Sequence, residues 1–130
     1  MTALEKIREQ YQKGLHSLPI ITKPRTHENY PDPEIIFPKK KEESSLYLMY
    51  NQRNGFVKIG RSKNPAYRER TLQGEDPQTV LVHVWVGMGY LEKIVHKEFD
   101  SKRVRGEWFN LDNHDSLMLL KFISEKTYGL

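Results

Sequence analysis

The chain contains no cysteine, which excludes a disulfide framework and thiolate metal sites and suits a reducing interior. No apolar run approaches the length of a bilayer span. The opening residues, MTALEKIREQ, lack the uninterrupted apolar region of a secretory signal. A cytoplasmic protein that meets no membrane is the resulting expectation. Internal repeats are absent as well. Neither sign of charge dominates: 21 Lys and Arg stand against 17 Asp and Glu, a formal net charge of +4. So modest a basic balance permits a polyanionic partner without demanding one. At 130 residues the chain suits one domain with extensions.

Residues 1–44 read as such an extension. Thr2 with Glu5 forms a capping box, and Leu4, Ile7, Tyr11 and Leu15 lie on one stripe, so a short amphipathic helix is expected over 2–14. It either packs on the domain or serves as a protein-partner or homodimer contact. Pro19, Pro24, Pro31, Pro33 and Pro38 exclude a regular helix over 18–43. That stretch is expected to be an extended strap, with Ile20-Ile21 and Ile35-Ile36-Phe37 as apolar anchors. Lys39-Lys40-Lys41 reads first as a solvated loop.

Residues 45–130 carry the domain. Strand formers over 46–51, an Asn54-Gly55 turn signal and a returning strand over 56–60 predict a β-hairpin. Directly opposed residues share a face, so Tyr47 and Lys58 fall on one side. Leu46, Leu48, Val57 and Ile59 make an apolar face on the other. Asn64-Pro65 supplies an N-cap and first-turn proline for a helix over 65–72, with Gly74 and Pro77 ending it. Residues 79–86, TVLVHVWV, form the clearest strand, with Val80, Val82, Val84 and Val86 on one face. His83 reads as a packed strand residue. A helix over 88–99 should bury Leu91, Ile94, Val95 and Phe99, and it presents Glu92 and His96 together. A short strand or loop over 105–111 surrounds Trp108-Phe109. A last helix over 115–126 should pack through Leu117, Leu120 and Ile123. Together these give an α+β domain, a small central antiparallel sheet flanked by helices.

Leu46-Tyr47-Leu48, then Val57-Lys58-Ile59-Gly60, then Arg68, resembles the opening of the GIY-YIG nuclease superfamily. Glu92 with His96, and Gly106-Glu107-Trp108-Phe109, resemble a branch of it in phage and bacterial reading frames. The resemblance covers roughly residues 45–112 and implies a metal-dependent endonuclease that hydrolyses DNA phosphodiesters. It assigns Tyr47 as base, Arg68 as the cation for transition-state charge, and Glu92 as ligand of Mg²⁺ (or Mn²⁺). Leu72 stands where many members carry His.

Phosphodiester hydrolysis needs a proton acceptor, a cation and relief of leaving-group charge. Tyr47, Lys58, Arg68 and Glu92 supply that set if they line one concave surface. A phenol ordinarily titrates near ~10, and a neighbouring Lys58 ammonium would favour its ionised form. Arg61 and Lys63, beside the loop, and His96, on the Glu92 face, are the candidate nucleic-acid contacts. DNA is the expected partner, with RNA left open. The alternatives are a nucleic-acid-binding module of the same fold that does not cut, and a protein-interaction domain.

Overall fold

In the computed structural model, which describes residues 30–129, the chain runs β1 (Glu34–Ile36), β2 (Ser45–Asn51), β3 (Val57–Ser62), α1 (Pro65–Glu75) and β4 (Thr79–Trp85). After a 3₁₀ turn (Gly89–Leu91) come α2 (Glu92–Glu98), β5 (Arg103–Arg105), β6 (Trp108–Phe109) and α3 (Asn113–Tyr128). The helix expected over 2–14 and the Ile20-Ile21 anchor lie outside the described residues. The six strands make one sheet in the order β1-β4-β2-β3-β6-β5. The fold is α+β, as the pattern predicts.

The β2–β3 hairpin has the expected register, with Leu48 opposite Ile59 and Met49 opposite Lys58. Its loop is held by Asn51, whose side-chain oxygen accepts from the Arg53 and Asn54 amides at 2.9 and 3.1 Å. Gly55 then takes φ +78°, which a side chain would resist. Leu46, Leu48 and Ile59 face the larger core, with Leu91 and Val95 of the α2 side, Phe109, and Leu119 and Ile123 of α3. Each such buried side chain contributes about 1.5–3 kcal/mol. Tyr47 and Met49 face the smaller core, shared with Ile35, Leu72 of α1, Leu81 and Val84.

Four expectations change on folding. The strap contributes a strand: Ile35 is buried and β1 runs parallel to β4, so the sheet is mixed rather than wholly antiparallel. A three-residue edge strand fits between prolines where a helix cannot. The even valines of β4 do not share one face. The β2–β4 register slips between Leu48/His83 and Met49/Leu81, a bulge at Val82, and beyond it Leu81 and Val84 face the same core. Beside that bulge the buried Glu69 carboxylate of α1 accepts the Leu81 amide, which ties helix to sheet. Gly74 does not end α1; the helix continues to Glu75 and closes with the Asp76 amide on the Leu72 carbonyl at 2.8 Å. Ile94 and Leu117 are exposed at 42% and 67%; α2 and α3 bury Val95 and Ile123 as expected, with Leu119 taking the place of Leu117.

Candidate functional site

Tyr47 and Gly60 oppose one another across β2 and β3. A Cβ added at Gly60 would lie 2.5 Å from both Cζ and Oη of Tyr47. The phenol therefore crosses β3 over the one residue that leaves room for it. Its ring is 1% exposed, and burial pushes the hydroxyl up to about 12. The Glu107 carboxylate adds to that rise. Arg68, within hydrogen-bonding reach of the phenol and positively charged, pulls the other way, and Glu92 adds a weaker push upward. Tyr47 keeps its proton at neutral pH.

That outcome corrects the expectation that Lys58 would prepare a phenolate. Lys58 does share the Tyr47 side of the hairpin, but its ammonium is turned to another partner. Its Nζ lies 2.8 Å from Glu107 Oε2 and 5.4 Å from the centre of the Trp108 ring. The lysine is 7% exposed, whereas the Glu107 side chain is 40% exposed, so a sheltered ammonium holds a carboxylate at the surface. Sequence reasoning passed over Glu107 as a single residue. Its only signal was the segment Gly106-Glu107-Trp108-Phe109, and nothing local reveals that β6 lands beside Lys58.

Arg68 stands in the second turn of α1, exposed, on the helix that packs against the Tyr47 side of the sheet. Asn64 caps that helix, its Oδ1 accepting the Tyr67 amide at 3.1 Å, with Pro65 in the first turn. Glu92 begins α2, which packs on the opposite face. The four expected side chains therefore do not line one open concave surface: Tyr47 is buried, and Glu92 approaches from the far side. The charges of Arg68 and Glu92 still act on the Tyr47 hydroxyl, and Lys58 joins them only through Glu107, at the outer edge of β3. Beyond Lys58, where β6 ends, His96 Nε2 lies 2.7 Å from the Ile59 carbonyl and holds α2 against that edge. The ring also rests 5.2 Å from Phe109. With Nε2 spent on the sheet, His96 serves first to hold α2 in place. His83 is half-buried and stacked 5.5 Å from Trp85, and burial pulls its pKa down.

Arg61 and Lys63 are exposed and line a cleft of about 350 Å³ with Glu42, Glu43, Ser44 and Ser62. Two acidic and two basic side chains line it, so it is not a purely cationic groove. Among the described residues no three His, Asp or Glu side chains cluster to cage a metal ion. The acidic groups whose charge acts on the Tyr47 hydroxyl are Glu107 and Glu92. A donor set that small suits Mg²⁺, which keeps several waters and takes substrate phosphate oxygens, rather than a metal that needs a full protein cage. Also among the described residues, no helix is long and apolar enough to cross a membrane.

Residues 44–124, more than half of the chain, match the family model of the T5orf172 domain, a nucleic-acid-associated domain. No curated protein and no solved structure matches the chain. The match corrects the resemblance drawn from the triplets, because T5orf172 is a family distinct from GIY-YIG. Short triplets mislead for a physical reason. Any hairpin that alternates core and surface residues, and lets one aromatic cross a glycine, draws on the same few residue types.

Proposed function

The chain belongs to the T5orf172 domain family, and from that premise we propose that it is a metal-dependent endonuclease acting on DNA phosphodiester bonds. One observation carries the reading. The Arg68 guanidinium adjoins a buried, protonated Tyr47 hydroxyl, with the charges of Glu107 and Glu92 in range of the same point. An exposed cation beside a buried neutral donor, with carboxylate charges in range, is the kind of preorganised field that phosphoryl chemistry uses.

In this reading Arg68 grips two phosphate oxygens and offsets the charge that grows on them. Tyr47, buried and protonated, orients the Arg68 guanidinium and does not itself meet the phosphate. The proton of the attacking water passes to a carboxylate of the site rather than to Tyr47. Lys58 fixes Glu107 at the rim. Glu92 would hold Mg²⁺ or Mn²⁺, and such an ion supplies a more acidic water and charge neutralisation at phosphate. Arg61 and Lys63 contact the backbone outside the scissile position.

The test is incubation of the protein with plasmid, branched DNA and RNA, with Mg²⁺ or Mn²⁺ and with chelator. Glu92→Gln should abolish cutting and leave metal-free binding intact or tighter. Arg68→Ala should lower both, the rate by roughly 10²-fold. A second reading, a nucleic-acid-binding module that does not cut, is favoured by the sparse acidic set and the sealed Tyr47. A wild-type protein that binds but never cuts decides for that second reading.

A further inference from the structure

The outermost strand, β5, carries Arg103 and Arg105, and all three of its residues are exposed. Two residues apart on a regular strand, the arginines would share a face. They do not, because the β5–β6 register slips between them. Arg103 pairs with Phe109 and Arg105 with the adjacent Trp108, which leaves Val104 as a bulge. Paired residues share a face, so the register can be followed inward. Arg103 goes with Phe109 and Val57 to the side of the larger core, and its guanidinium sits 5.1 Å from the Phe109 ring. Arg105 goes with Trp108, Lys58 and Met49 to the side of Tyr47.

The two arginines also differ in employment. Arg103 donates to Asp100 at 2.9 Å and to the Gly106 carbonyl at 2.6 Å, which stiffens the hairpin. No described side chain or carbonyl engages the Arg105 guanidinium. It stands exposed one strand beyond Trp108, two residues before Glu107, whose carbonyl accepts the Ile59 amide at 3.0 Å. The hairpin is thus fastened to the edge of β3 at the site itself.

We propose that the β5–β6 hairpin is a nucleic-acid contact surface. In it Arg105, turned onto the Tyr47 side by the Val104 bulge, binds a phosphate of the strand that continues outward from Arg68. Trp108 forms the floor between the sheltered Lys58 ammonium and Arg105. An aromatic between two cations is a combination suited to a polyanionic chain whose bases can stack. The ligand chemistry is the phosphodiester backbone. This surface rests on the nucleic-acid part of the reading above and not on cleavage.

The test is fluorescence anisotropy without divalent metal, over a salt titration, using a labelled single-stranded DNA and its duplex. Arg105→Ala should weaken binding several-fold, and the slope of log K against log salt should fall by about one. Lys121→Ala, an exposed cation on α3 against the opposite face, should leave both unchanged. Urea midpoints equal to wild type would show that Arg105→Ala leaves the fold intact. Weakening on either probe sustains the proposal and names the form of nucleic acid engaged. Arg105→Ala binding both probes like wild type, with the same slope, overturns it. A wild type that binds but never cuts rejects the nuclease reading and leaves this surface standing; one that binds neither probe removes both.

Discussion

Gly60→Ala tests whether the Tyr47 ring is fixed by the strand it crosses. The added methyl would meet Cζ and Oη at 2.5 Å and Cε1 at 3.0 Å, well inside contact distance, and the ring is sealed on all sides. Overpacking of this kind costs about 1–3 kcal/mol. Against it stands the ordinary gain of roughly 0.5–1 kcal/mol when alanine replaces glycine within a strand. The backbone φ at Gly60 is not positive, so the gain is available. The net expectation in the wild-type background is a loss of about 1–2 kcal/mol. Tyr47→Leu removes all three clashing atoms, since a leucine ends before the ring positions that overlie Gly60. In that background Gly60→Ala should be neutral or slightly stabilising, and the coupling energy should be about 1–3 kcal/mol. Urea unfolding of the four proteins, followed by tryptophan fluorescence, measures the cycle. Equal costs of Gly60→Ala in both backgrounds would refute the argument that the glycine exists to let the phenol pass.

The high phenol pKa has a stability consequence with a definite sign. The folded state holds the Tyr47 proton more tightly than the unfolded chain, so its stabilising share is complete below about pH 10 and is lost between about 10 and 12. A shift of that size corresponds to about 2–3 kcal/mol. Denaturant midpoints should fall across that window in wild type and fall less in Tyr47→Phe, with tyrosinate absorbance at equilibrium as the independent record. Glu107→Gln should cost roughly 1–2 kcal/mol, between the values for exposed and buried pairs, because it strands a sheltered Lys58 ammonium beside a half-exposed partner. Lys58→Met, which removes the ammonium as well, should recover most of that loss when combined with it, as thermal melts would show.

Local chemistry determined much of this molecule. Alternation set the faces of the hairpin, Asn64-Pro65 set the start of α1, and a run of β-branched residues set β4, because each signal is written within a few neighbouring residues. The fold class follows from those pieces. For the candidate site the sequence offered a list of residues, Tyr47, Lys58, Arg68 and Glu92, and no arrangement of them. Whether Lys58 serves Tyr47 or Glu107 depends on where β6 docks, and β6 is two residues long, too short to announce itself. Whether Val82 continues an alternation, and which way Arg105 points, depend on bulges, which arise when two strands of unequal geometry are paired. The tertiary structure also decided that Tyr47 keeps its proton. The sequence sets a residue's chemical type; only the packed surroundings set how much water and opposite charge reach it, and for Tyr47 the packing removes the water.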